Sequence, residues 1–187
     1  MNQSIINALN NVHRIDFLRK EDKANSSIDR PISIGYGQTN SQPYTVGLML
    51  EWLNVKNGHK ILDVGSGSGW TSALLGYLTG KNGLVVAVER IPELVKFGKE
   101  NCQKLNIKNV TFFDSKDIFG WPELAPYDRI LVSASINEIP KELTDQLSKN
   151  GKMVIPINND IIVLSKNEDN SITQEIHSGF SFVPLIK

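Results

Sequence analysis

The chain has 187 residues, of which 40% are hydrophobic and 21% charged, with 14 glycines. That composition fits one folded domain with a sizeable core and excludes a disordered or fibrous chain. Lysine plus arginine equals aspartate plus glutamate at 20 each, so the chain lacks the broad basic field of nonspecific nucleic-acid binding, and no nucleic-acid partner is expected.

In chain order, Ile5, Leu9 and Val12 recur at helical spacing, which predicts an amphipathic helix over residues 4 to 13. The opening MNQSIINALNNVHR has no charged start followed by an apolar block, so no secretion signal is expected. Residues 19 to 31 read as a polar connection without periodicity. Then comes SIGYGQTNSQPY, residues 33 to 44, in which nothing is expected to form a core. It is either a plain surface loop or a binding loop built from backbone and hydroxyl groups. Pro43 suits a first helical position, and Val46, Leu50 and Leu53 repeat along one face of the helix that follows.

From residue 60 the pattern alternates. Strands are expected at 60 to 65, 84 to 89, 110 to 113 and 129 to 134, with a fifth at GKMVIPI. Helices are expected from Trp70 to a stop at Gly80, from Pro92 to Leu105, and over 141 to 148. Leu94, Gly98, Cys102 and Leu105 fall on the inner face of the second of these. The tail reads as a hairpin turning near Asn167 to Asn170. Such alternation predicts an α/β, doubly wound and mostly parallel sheet of about seven strands with helices on both faces. The core strand order should be 3-2-1-4-5, with the two tail strands extending one edge. No apolar run approaches the ~20 residues of a membrane span. The single cysteine, Cys102, cannot form an internal disulfide and reads as a small buried hydrophobe. A cytoplasmic location is the expectation.

In doubly wound sheets, ligands gather beyond the carboxyl ends of the strands, where strand order reverses. That point here is LDVGSGSGW. Gly65, Gly67 and Gly69 let the backbone turn sharply and approach a ligand. Glu89 ends the next strand, where an acid can accept hydrogen bonds from both ribose hydroxyls. The dinucleotide fingerprint G-x-G-x-x-G needs glycine at position 70, which is Trp70, so a dehydrogenase is not expected. With Asp63 just ahead of the glycines, the loop instead resembles the S-adenosyl-L-methionine (AdoMet) loop of Rossmann-like methyltransferases, where an acid faces the cationic end of the cofactor. The plainer alternative is that Asp63 caps a loop and Glu89 is an exposed strand end.

DRPISIGYGQTNSQPY, ILDVGSGSGW, VERI, NV, GWPELAPYDRILVSA, IPKELTDQL, GKMVIPI and FVPLIK follow in an order and spacing that resemble the protein-L-isoaspartate O-methyltransferase family, from about Arg14 to Lys187. Family members usually carry a longer N-terminal helical segment, for which residues 1 to 20 stand here. The resemblance implies a single AdoMet-dependent methyltransferase domain over residues 1 to 187. Residues 1 to 43 supply a helix and a substrate and cofactor loop, 44 to 157 a Rossmann-like core, and 158 to 187 the last strands. It implies methyl transfer to the α-carboxylate of L-isoaspartyl, and D-aspartyl, residues in damaged proteins or peptides, which is a repair activity. Two alternatives stay open: a carboxyl methyltransferase acting on another peptide or small molecule, and a catalytically silent AdoMet-binding protein.

Ser41 stands at the position the family marks as its active site, and its plainer role is to cap the helix beginning at Pro43. Gln38, Thr39, Asn40 and Ser41 should lie over cofactor and substrate, with Asp63, Gly65, Gly67, Gly69, Glu89 and Arg90 around AdoMet. Phe182, Val183 and Pro184 correspond to a strand offering backbone groups to a peptide. Typical members carry Gly-Asp-Gly after the third strand, and this chain reads Ser115-Lys116-Asp117. Lys116 cannot accept a hydrogen bond from the adenine amino group and should point to solvent, leaving that contact to Asp117 or Asp114. VSAS (132 to 135) replaces the usual VTAA. The substrate's own carboxylate would be the nucleophile, so His13, His59 and His177 need no role. No metal is expected. The expected partner is a protein or peptide bearing isoaspartate, the chain working as a monomer away from membranes.

Overall fold

Helices α1 (Gln3–Asn11), α2 (Pro43–Leu53), α3 (Trp70–Thr79), α4 (Pro92–Lys104) and α5 (Lys141–Gln146) alternate with most of the strands, in a computed structural model that describes residues 1–185. Ile186 and Lys187, which close the FVPLIK segment, lie outside the described residues. A short hairpin, β1 (Ile32–Gly35) and β2 (Gln38–Asn40), precedes the main sheet. The sheet holds β3 (Lys60–Val64), β4 (Leu84–Glu89), β5 (Val110–Asp114), β6 (Tyr127–Val132), β7 (Leu147–Ile157), β8 (Asp160–Lys166) and β9 (Ile172–Ser178). Its order is β5-β4-β3-β6-β7-β8-β9. The first five strands are parallel and follow the expected 3-2-1-4-5 order, and β8 and β9 join antiparallel at one edge.

Side chains divide between the two faces with the period of two that a pleated strand imposes. Ile61, Val85, Leu131 and Val154 pack under α1, α2 and α3. Leu62, Val86, Ile130 and Met153 face the other way, against Tyr127, Leu143 and Leu147. All eight sheet positions are fully buried, and each such side chain contributes roughly 1.5–3 kcal/mol. Both faces are therefore covered, as a parallel sheet requires. Among the described residues no helix is long and apolar enough to cross a membrane.

Four local readings change. Residues 33 to 44 are not a featureless loop, since Tyr36 and Gly37 sit at φ 56° and 71° and close a tight hairpin. Ile34 within it is buried, packing with Leu18, Ile32 and Leu94. The polar connection contains a 3₁₀ turn at Lys20–Asn25. Helix α5 stops short of residue 148 because Leu147 already pairs with Tyr127. Leu105 caps α4 from outside the core and is 38% exposed, while Cys102 is buried as expected.

Candidate active site

β3 is the middle of the order reversal, with β4 on one side and β6 on the other, so the ends of these strands frame a crevice. The β3–α3 loop forms its floor. The amides of Gly65 and Ser66 donate to the Val88 carbonyl at 2.9 and 3.1 Å, tying the loop to the end of β4. Gly65 and Gly67 have φ of 77° and 52° and line a cavity at the strand ends, where small-molecule sites gather in open α/β sheets. Gly69 does not line it. A Cβ there would stand 3.0 Å from the Gly98 Cα and carbonyl oxygen, so its bare backbone serves the close crossing of α3 over α4.

Glu89 is held in place by the backbone. Its Oε2 accepts from the Gly67 amide at 3.0 Å, and its Oε1 accepts from Arg90 and Ile91 at 2.7 and 3.0 Å. The carboxylate lines the cavity and keeps lone pairs for further donors. It is 8% exposed rather than a free strand end. Ile91, Ile118 and Phe119 give the same cavity an apolar wall.

Asp63 lies beneath this floor with no exposure. It accepts from Ser72 Oγ at 2.6 Å and from Ser133 Oγ at 3.5 Å. Burial pushes its carboxyl up to about 7; the two hydroxyls oppose that shift and the nearby Glu89 adds to it. A folded-state value above the unfolded one means the native chain holds the proton longer, so stability falls as pH rises from about 4 to about 7. We expect Asp63→Asn, measured without ligand, to gain about 2 kcal/mol relative to the parent between pH 5 and pH 8. Parallel urea midpoints across that range would show Asp63 to be ionised throughout.

The hairpin forms the roof. Gln38 and Thr39 line the cavity. Asn40 does not, because its side chain turns inward, accepting from Arg14 Nε at 2.7 Å and donating to Ser68 Oγ at 3.1 Å. Ser41 lines a second cavity with Gln42, Thr45 and Phe182. Thr39, Ser133, Val183 and Pro184 line both cavities, so the two meet there. Ser41 is not the cap of α2. Asp29, far away in sequence, accepts from the Tyr44 amide at 2.9 Å and from Gln42 Nε2 at 2.9 Å. The Ser41 hydroxyl makes no hydrogen bond among the described residues. Val183 and Leu185 pair with Ser135 through bonds of 2.8 Å each, making the tail a one-sided strand beside the second cavity.

Arg90, Ser115, Lys116 and Asp117 complete the rim of the first cavity. Lys116 is exposed with φ 48°, and its amide donates to Asp114 Oδ1 at 3.0 Å. Asp117 is exposed and stands 3.4 Å from the Arg90 guanidinium. Asp114 does not reach the cavity wall.

The whole chain, residues 1–187, matches the model of the protein-L-isoaspartate(D-aspartate) O-methyltransferase family. The chain belongs to that family. A protein-L-isoaspartate O-methyltransferase from Methanococcoides burtonii is 41% identical over 98% of this chain and 92% of its own length. One from Fervidobacterium nodosum is 38% identical over 99% of this chain and 94% of its own. A solved structure of a protein-L-isoaspartate O-methyltransferase superposes with a TM-score of 0.89 at 26% identity, covering 98% of this chain, which spans 61% of that one. A Plasmodium falciparum chain assigned to the same methyltransferase class, in complex with S-adenosyl-L-homocysteine, gives 0.85 at 30% identity, over 99% of this chain and 91% of its own.

Two residues that the motifs do not single out gain a place from the geometry: Ser133, which lines both cavities, and Arg14, which holds the roof segment. Ser133 follows directly on the end of β6, where the strand-end rule could have found it. Arg14 gave no signal beyond being an arginine near a helix end.

Proposed function

We infer that this chain transfers a methyl group from AdoMet to the α-carboxylate of L-isoaspartyl residues, and of D-aspartyl residues, in damaged proteins or peptides. The meeting of the two cavities at Thr39, Ser133, Val183 and Pro184 carries the reading, since it lets a nucleoside ligand and a peptide carboxylate approach from opposite sides. The first cavity fits AdoMet: Glu89 is oriented to accept from a ribose diol, Gly65 and Gly67 present bare backbone, and Ile91 and Ile118 suit a planar base. When bound, AdoMet supplies an electrophilic sulfonium methyl group. The acceptor carboxylate, with a pKa of about 4, is already ionised at neutral pH, so no protein base is required.

The chain's own task is alignment and exclusion of water, which can supply roughly 7–11 kcal/mol. In this reading the Ser41 hydroxyl donates to a carboxylate oxygen, while Thr39 and the Phe182–Pro184 segment frame the peptide. The lone buried cysteine supports a cytoplasmic location.

Radiolabelled AdoMet offered with an isoaspartyl peptide, its normal aspartyl twin and a D-aspartyl version tests the assignment. Label should enter the first and third alone. Transfer to the normal twin would point to a redirected carboxyl methyltransferase, and binding without transfer to a silent one.

The Ser115-Lys116-Asp117 segment makes a separate prediction. Asp117 lines the cavity and Asp114 does not, so Asp117→Ala should weaken AdoMet about fivefold, the value of one hydrogen bond of ~1 kcal/mol. Asp114→Ala should leave affinity within twofold. Calorimetric titrations giving the reverse order would assign the adenine contact to Asp114.

A further inference from the structure

Arg14 is an arginine only 6% exposed, placed at the start of the 3₁₀ turn Arg14–Phe17 just after α1. Its guanidinium donates to five oxygens: Asn40 Oδ1 at 2.7 Å and the carbonyls of Ile28 at 2.9, Arg30 at 2.7, Asn40 at 3.0 and Ser41 at 2.9 Å. It also stands 5.5 Å over the Trp70 ring, whose Nε1 donates to the Val12 carbonyl at 3.1 Å. Three separate parts of the chain are thereby joined: the segment that caps α2 through Asp29, the roof strand carrying Thr39 with Ser41 just beyond it, and the first residue of the helix behind the glycine loop. Asn40 extends the link to Ser68 within that loop. Arg14 lines neither cavity. Burial lowers its pKa to about 10, which leaves it charged at neutral pH.

Taking an ion out of water costs several kcal/mol unless fixed partners replace the hydration. Here the partners are four backbone carbonyls and the Asn40 side chain, which hold one position only if the hairpin does. A planar guanidinium spreads its donors across them, Nε to the Asn40 side chain, Nη1 to Ile28 and Nη2 shared among three carbonyls, which an ammonium with three donors at one point cannot do.

We propose that Arg14 is a positioning residue for methyl transfer, fixing Thr39 and Ser41 over the glycine loop and so aligning the acceptor carboxylate without touching it. The proposal rests on the function assigned above. Arg14→Lys keeps the charge and loses the fork. It should lower kcat for an isoaspartyl peptide about tenfold while the Kd for AdoMet stays within threefold. Hydrogen exchange of the Gln38–Ser41 amides should quicken at least tenfold, with β3 and β4 unchanged. Combined with Ser41→Ala, the loss of kcat should be smaller than the product of the two single losses, because both act through the Ser41 hydroxyl. An unchanged kcat, losses that multiply, or unaltered exchange of the roof strand would each overturn the proposal. If Arg14→Lys does not fold, Asn40→Ala, which removes one clamp oxygen, decides the matter by the same exchange and kcat readings. A parent chain inactive on the isoaspartyl peptide refutes the assigned function instead, and the exchange measurement still decides whether Arg14 holds the roof.

Discussion

Ser41→Ala should lower kcat/KM for an isoaspartyl peptide about a hundredfold, the cost of an acceptor oxygen misplaced by about 1 Å. AdoMet affinity should stay within about twofold, since Ser41 lines the second cavity and not the first. The fold should be untouched. Asp29 caps α2, and the Ser41 hydroxyl holds nothing else in place. Thermal melts of parent and variant should therefore coincide, which separates this loss from a folding defect. Steady-state rates with saturating AdoMet and varied peptide provide the measurement. A kcat/KM within about twofold of the parent, less than ~0.5 kcal/mol, would remove Ser41 from the reaction.

Glu89→Ala should weaken AdoMet about thirtyfold. A charged acceptor for a hydroxyl is worth ~1.5–3 kcal/mol, and here it is oriented in advance by the amides of Gly67, Arg90 and Ile91. Those amides also lose their acceptor, so part of the effect comes from a looser glycine loop. Glu89→Gln separates the two contributions. It keeps the size and one acceptor oxygen but turns an NH₂ group toward an amide donor, so it should fall between parent and alanine. Titration calorimetry reads all three directly, and an unchanged Kd in Glu89→Ala would exclude the carboxylate from the ligand site.

Much of this could be read along the chain because its signals are local. A parallel strand buried on both faces must be a short apolar run, and LVVAVE is one. A stop at Gly80 and a start at Pro43 follow from single-residue backbone preferences. The glycine loop and Glu89 were visible for the same reason: a strand, a turn that needs bare backbone and an acid at the next strand end are separately legible. Leu105 shows the limit. Helical spacing put it on the inner face, yet α4 ends before it, and only the ends of neighbouring elements decide how far a buried face extends.

What the sequence determined by itself is the α/β order, the central crevice, and membership of a methyltransferase family through motifs spread along the chain. The tertiary structure decided how individual polar groups divide between ligand and scaffold. Asn40 and Gly69 belong to motifs that read as binding residues, but one satisfies a buried guanidinium and the other lets two helices cross. Ser41 reads as a helix cap from its place before Pro43 and as an active-site residue through the family resemblance, and Asp29, from an earlier segment, holds the capping place. The physical reason is common to all three. Each role depends on groups brought near by folding (a buried amide finding a guanidinium, a backbone crossing another, a distant carboxylate taking the cap), which no spacing along the chain records.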